Sequence, residues 1–116
     1  MEITVSELER LSPDSYILYD TRSEQEKLYG VMEGAVSVSA EELLSAPPED
    51  KTQKLIICCA RGKFSVDTAE QLSEMGYDAY SFSGGYAAWL LAVMQKEQAD
   101  EVSKRVEQSL QKKFRK

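Results

Sequence analysis

Histidine is absent from this 116-residue chain. That excludes Cys–His pairs, Ser–His–Asp relays and every His-ligated metal site. Cysteine is almost as scarce: the chain holds two, Cys58 and Cys59, side by side. Two thiols cannot supply a four-ligand zinc site, and adjacent cysteines make a poor structural disulfide. No apolar run approaches the ~20 residues of a membrane-spanning helix, and the N-terminus lacks the basic-then-apolar pattern of a secretory signal. The expectation is a cytoplasmic protein with no membrane contact, in a reducing compartment that suits a free thiol.

What is present reads as one soluble globular domain, with 42% hydrophobic and 29% charged residues. A chain of this length buries roughly two-thirds of the surface its unfolded form exposes. The net charge of −6 is unevenly spread. Residues 1–100 hold 8 Lys/Arg against 18 Asp/Glu, net −10, while residues 101–116 hold 6 against 2, net +4. An acidic body repels nucleic acid, so no direct contact with it is expected there. Only the tail could attract a polyanion, and a solvated helix face explains its charge as well.

Strand and helix patterns alternate along the chain. Residues 3–5 read as a short strand. Ser6 and Glu9 then stand at capping-box spacing for a brief helix through Leu11. Tyr16–Asp20 is a strand, residues 23–29 a helical turn ended by Gly30, residues 36–38 a small strand, and residues 41–44 a turn stopped by Pro47-Pro48. Lys54–Cys58 is a continuous apolar run of the kind a doubly covered parallel sheet needs. Ser65 is expected to cap a helix to Met75, with Val66, Ala69, Leu72 and Met75 inward and Gly76 as its stop. Asp78–Phe82 is the next strand, followed by a Gly84-Gly85 turn and a helix from about Tyr86 that puts Tyr86 and Trp89 in the core. Such alternation predicts a parallel α/β sheet. At the far end Val102, Val106, Leu110 and Phe114 recur every four residues, a narrow stripe read as a packing face.

The chemistry concentrates in Cys59-Ala60-Arg61-Gly62-Lys63-Phe64-Ser65. A cysteine there ends a strand and faces the start of the next helix, in the crevice where parallel sheets bind ligands. Unpaired N–H groups and the positive end of the helix dipole favour anions and favour thiolate over thiol. Arg61 and Lys63 add two positive charges, and together with the helix these are expected to lower the Cys59 pKa. Cys58 reads as a small core residue, with a minor role as a resolving thiol.

The loop resembles that of single-domain rhodaneses, sulfurtransferases that carry a persulfide on cysteine. Asp20-Thr21-Arg22, Gly30 and Gly34-Ala35 resemble the family's "D-x-R … G-x-x-x-G-A" segment, and Gly84-Gly85-Tyr86-Ala87-Ala88-Trp89 its "G-G-aromatic-x-x-W" ending. The resemblance implies an α/β rhodanese-like fold: a central parallel sheet of about five strands with helices on both faces. It covers residues 1–92 and leaves 93–116 as a C-terminal helical extension or linker. It further implies Cys59 as the nucleophile and Ala60, Arg61, Gly62, Lys63, Phe64, Ser65 and Arg22 as anion- or substrate-binding positions. The residues themselves, though, read first as a structural ion pair, Asp20 with Arg22, near the site.

The family's Arg before the loop Ser is here Phe64, and its Arg after the cysteine is Ala60. Its His after the first glycine is Val31, and its aromatic before that glycine is Lys27. Thiosulfate is therefore expected to be a poorer donor than a persulfide. The implied activity needs no metal or cofactor, only a sulfur donor (thiosulfate or a protein persulfide) and a sulfur-accepting protein or small thiophile. A non-catalytic interaction module is the alternative. A phosphatase or arsenate-reductase role ranks third, because the position six residues after Cys59 is Ser65 where that branch has Arg. The ending Gln111-Lys112-Lys113-Phe114-Arg115-Lys116 is similar to the lead-in of PP-loop ATPases that thiolate tRNA, so a fused or partner ATPase is a further expectation.

Overall fold

A computed structural model describes residues 1–114 of the chain, with side chains to Glu107. Five parallel strands form one sheet: β1 (Glu2–Ile3), β2 (Tyr16–Asp20), β3 (Val36–Ser37), β4 (Lys54–Cys58) and β5 (Asp78–Phe82), in the order β1-β5-β4-β2-β3. Apart from Lys54 at its start, β4 is apolar throughout and takes the centre, because only a strand covered on both faces can carry such a run. Its alternation divides the core. Leu55 and Ile57 join Tyr19, Leu43, Ala69 and Leu72 on one face. Ile56 and Cys58 join Ile3, Leu8, Met32 and Phe82 on the other.

The five helices are α1 (Val5–Glu9), α2 (Glu24–Lys27), α3 (Ala40–Ser45), α4 (Phe64–Glu74) and α5 (Gly85–Phe114). The capping box of α1 lies two residues earlier than expected. Thr4, still extended, accepts from the Glu7 N–H at 3.2 Å, and the Glu7 carboxylate accepts from the Thr4 N–H at 3.2 Å. Ser6 is thus already helical, and β1 stops at Ile3. Helix α4 also begins differently. Lys63 stands at its N-cap with no side-chain bond, and Ser65 is inside the helix, buried. The inward face is Ser65, Thr68, Ala69 and Leu72; Met75 lies beyond the last turn and is exposed.

Helix α5 runs unbroken across residues 92 and 93. Its first turns set Tyr86, Ala88 and Trp89 half-buried against the second core cluster, with the two aromatic rings stacked at 5.6 Å. Further on it leaves the domain. Val102 and Val106 are more than half exposed, so this stretch does not pack on the body as the stripe suggested. The side chains of Leu110 and Phe114 lie outside the described residues.

Behind the crevice, Asp20 and Arg22 form a bidentate pair at 2.7 and 3.0 Å, with side chains only 3% and 2% exposed. The remaining guanidinium N–H groups donate to the carbonyls of Glu26 (3.3 Å) and Gly30 (2.8 Å), and the Tyr86 ring covers the group at 3.7 Å. The pair thereby ties β2, α2 and α5 together. Burial works against the Asp20 carboxylate, but hydrogen bonds and charge from Arg22 outweigh it and hold its pKa below the ordinary value. Replacing Asp20 by Asn strands a buried cation. Such a break costs about 3–5 kcal/mol, which urea unfolding of Asp20→Asn should register as a lowered midpoint.

Candidate active site

Cys59 follows the last residue of β4, and the chain turns sharply through Gly62 (φ +86°) into α4. This turn gives the loop two sides. Its N–H groups point inward to sulfur: Gly62 donates to Cys59 Sγ at 3.1 Å, and the N–H groups of Ser65 and Arg61 also bear on it. The Ser65 hydroxyl lies 3.3 Å from the same sulfur. The three carbonyls that lead into the turn are held from the other side. Thr21 donates to Cys58 O through both N–H and hydroxyl at 2.9 Å, Tyr86 N–H to Cys59 O at 2.8 Å, and Ala87 N–H to Ala60 O at 3.1 Å. The first N–H groups of α5, which have no partner within their own helix, thus clamp the loop.

The glycine pair makes that approach possible. A Cβ on Gly85 would stand 2.7 Å from Gly62 N and 2.8 Å from the Ala60 carbonyl carbon, against backbone that cannot move aside cheaply. Gly85 is also at φ +60°. The doubled glycine is the kind of sequence signal that a positive φ or a close backbone approach leaves, and Gly85 has both.

The two thiols differ by one residue and by their whole surroundings. Cys58 points into the apolar core; burial first, then the Asp20 and Cys59 charges, push its pKa up to about 12. Burial also works against the Cys59 thiolate. There the hydrogen bonds prevail, from the Ser65 hydroxyl and then from the N–H groups of Ser65, Gly62 and Arg61, and the pKa is lowered. The Ser65 hydroxyl and the loop amides do this work. Arg61 and Lys63 were expected to contribute charge, but both side chains are exposed at the rim.

Of the positions named from the resemblance, Arg61 (through its backbone), Gly62 and Ser65 converge on Cys59. Ala60 is half-buried and offers its carbonyl to α5. Lys63 and Phe64 face solvent, Phe64 at 84% exposure. Arg22 is spent on Asp20 and two carbonyls, which corrects its assignment as an anion ligand: it positions the wall behind the site. Ser65, expected both to cap α4 and to stand at the anion site, does only the second: its hydroxyl turns to sulfur and to Ser81 Oγ at 2.7 Å. Ser81 went unnoticed; a lone hydroxyl between apolar residues of a central strand was its signal.

A cysteine held at a helix start by loop amides, at the carboxyl edge of a five-stranded parallel sheet, defines a rhodanese-type domain. The chain belongs to that family: the sequence model of the Rhodanese-like domain matches residues 4–92. It is similar to the thiosulfate sulfurtransferase GlpE of Pseudoalteromonas translucida (strain TAC 125), 31% identical over 91 residues that cover 77% of this chain and 87% of that one. Among solved structures it resembles the human single-domain sulfurtransferase TSTD1, at a TM-score of 0.67 and 25% identity over 77% of this chain and 94% of that one. A rhodanese-related protein of Thermoplasma volcanium shares the fold at a TM-score of 0.69 and 23% identity, over 78% and 91% of the two chains.

Alkylation should separate the two thiols. Cys59 reacts with an inflection below that of a free thiol, ~8.5, and Cys58 reacts only once the protein unfolds, as mass mapping of the labelled peptide will report. The same lowering links folding to pH. Native Cys59 binds its proton more weakly than in the unfolded chain, so its contribution to stability is full above ~8.5 and fades as pH falls through the lowered native value. The stability gap between wild type and Cys59→Ala should shrink over that window.

Proposed function

We propose that Cys59 accepts sulfane sulfur as a persulfide and passes it on. The convergence of loop N–H groups and the Ser65 hydroxyl on one buried thiol carries this reading. The Cys59 thiolate attacks the outer sulfur of a donor persulfide or thiosulfate. The donor S–S bond breaks, its thiolate or sulfite leaves with the electron pair, and a Cys59–S–S⁻ group forms. A nucleophilic acceptor then takes the outer sulfur and returns Cys59 as thiolate, giving ping-pong kinetics. The fixed amides face the charge in both states without rearranging.

The surroundings favour a protein over a small dianion at the donor step. Among the described residues no guanidinium donates to the sulfur: Arg22 is engaged and Arg61 is at the rim. The loop instead carries an exposed Phe64, and Leu28 and Tyr29 are as exposed on the α2 segment that Tyr86 Oη joins through Tyr29 O (3.5 Å). Apolar side chains bared beside a reactive group mark a surface for a partner. We assign the partners as a protein persulfide and a sulfur-accepting protein. The basic ending, similar to the lead-in of PP-loop ATPases, supports tRNA thiolation in the cytoplasm as the destination of the sulfur.

Incubation with a sulfane donor should add one sulfur to the mass of wild type and Cys58→Ser, and none to Cys59→Ser. A gain retained in Cys59→Ser overturns the assignment. No gain in wild type with either donor class favours the docking module, which the same exposed rim would serve. Turnover with a protein or small-molecule persulfide should exceed that with thiosulfate, the difference lying in a high thiosulfate KM.

A further inference from the structure

Ser81 occupies the middle of the molecule without an evident reason. It lies on β5, 0% exposed, and its backbone N–H is already satisfied by Met1 O at 2.9 Å. Its hydroxyl is 2.7 Å from Ser65 Oγ, and among the described residues it has no other hydrogen-bond partner. Ser65, itself 0% exposed, is in turn 3.3 Å from Cys59 Sγ. Three polar atoms therefore form a chain sealed from water, with sulfur at one end and a dead end at the other.

The dead end sets the direction. Each hydroxyl carries one proton. Were Ser65 to donate to Ser81, the Ser81 proton would have no acceptor, and a buried unpaired donor costs about 1–3 kcal/mol. The opposite order strands nothing: Ser81 donates to Ser65, and Ser65 donates to sulfur. We propose that Ser81 is a positioning residue whose buried hydroxyl fixes the Ser65 proton toward Cys59, so that the site always presents a donor to a negatively charged sulfur. A neutral thiol in the same place would turn its own proton against that of Ser65. Donors in series also polarise one another, which strengthens the terminal bond. The charges near the loop leave this role to the hydroxyls: Arg61 and Lys63 are exposed, Asp20 and Arg22 neutralise each other, and Cys58 is protonated at its high pKa.

The inference rests on Cys59 as the reactive thiol, and alkylation reads that thiol whether or not sulfur is transferred, so failure of the sulfurtransferase reading leaves the test intact. The pH dependence of Cys59 alkylation is to be measured on the full chain for wild type, Ser81→Ala, Ser81→Thr, Ser65→Ala and the double alanine variant, each checked for a cooperative melt. Ser81→Ala should move the inflection up by about half to one pH unit, the scale of one net hydrogen bond. Ser81→Thr, which keeps the hydroxyl, should restore it. In the Ser65→Ala background, Ser81→Ala should add nothing, since its path to sulfur is already cut. An equal shift in that background, or no shift in a folded Ser81→Ala, overturns the proposal. Should the alanine variant fail to melt cooperatively, Ser81→Cys, a near-isostere with a weak donor, takes its place and must show an upward shift in the same direction.

Discussion

The start of α4 has no capping side chain, and the rest of the site follows from what takes its place. Lys63 stands where Ser, Thr, Asp or Asn would ordinarily accept the first free N–H groups of a helix. Here the sulfur of Cys59 accepts from the turn leading into that helix. One atom thus serves two ends, satisfying backbone donors that would otherwise face a crevice and holding negative charge where chemistry needs it. The turn into the helix is best satisfied with the thiol in position, so folding and preparing the site are coupled.

That arrangement demands a loop whose peptide planes all face one way, N–H toward sulfur and C=O away. Turning three successive carbonyls outward only moves the problem, because they too must be paired once buried. Thr21 and the first turn of α5 answer it, and the doubled glycine lets α5 come close enough. The Asp20–Arg22 pair supports the same junction from behind by linking β2 to the carbonyl of Gly30 and to the Tyr86 ring. Sheet, loop and two helix starts are therefore fastened at one place.

Much of this was legible in the order of residues. The runs Tyr16–Asp20, Lys54–Cys58 and Asp78–Phe82 are strands with the expected bounds, since apolar runs between turn signals leave little choice. Cys59 was legible because position after a strand and before a helix dictates its surroundings. What escaped notice depends on direction in space. Thr4 and Ser6 are both plausible caps, and only the point at which the chain leaves β1 decides between them. Ser65 looks like a cap in sequence and is something else because the turn at Gly62 rotates its hydroxyl inward. Arg61 and Arg22 are both cations near the cysteine in sequence or fold, yet one points out and the other is fully engaged. Ser81 lies sixteen residues from its partner Ser65, and no local pattern joins them.

The unbroken course of α5 gives the domain a handle of fixed phase. Its 30 residues amount to about 45 Å of helix rooted at the loop itself, since its first N–H groups grip Cys59 and Ala60. Anything joined beyond it is oriented in rotation as well as held at a distance. Adding or deleting a single residue in the exposed stretch would swing that attachment by about 100° around the axis, whereas a change of seven residues would nearly restore it. The angular relation between the thiol and anything fixed to the far part of the helix is thus written in a residue count, as the timing of a camshaft is written in its teeth.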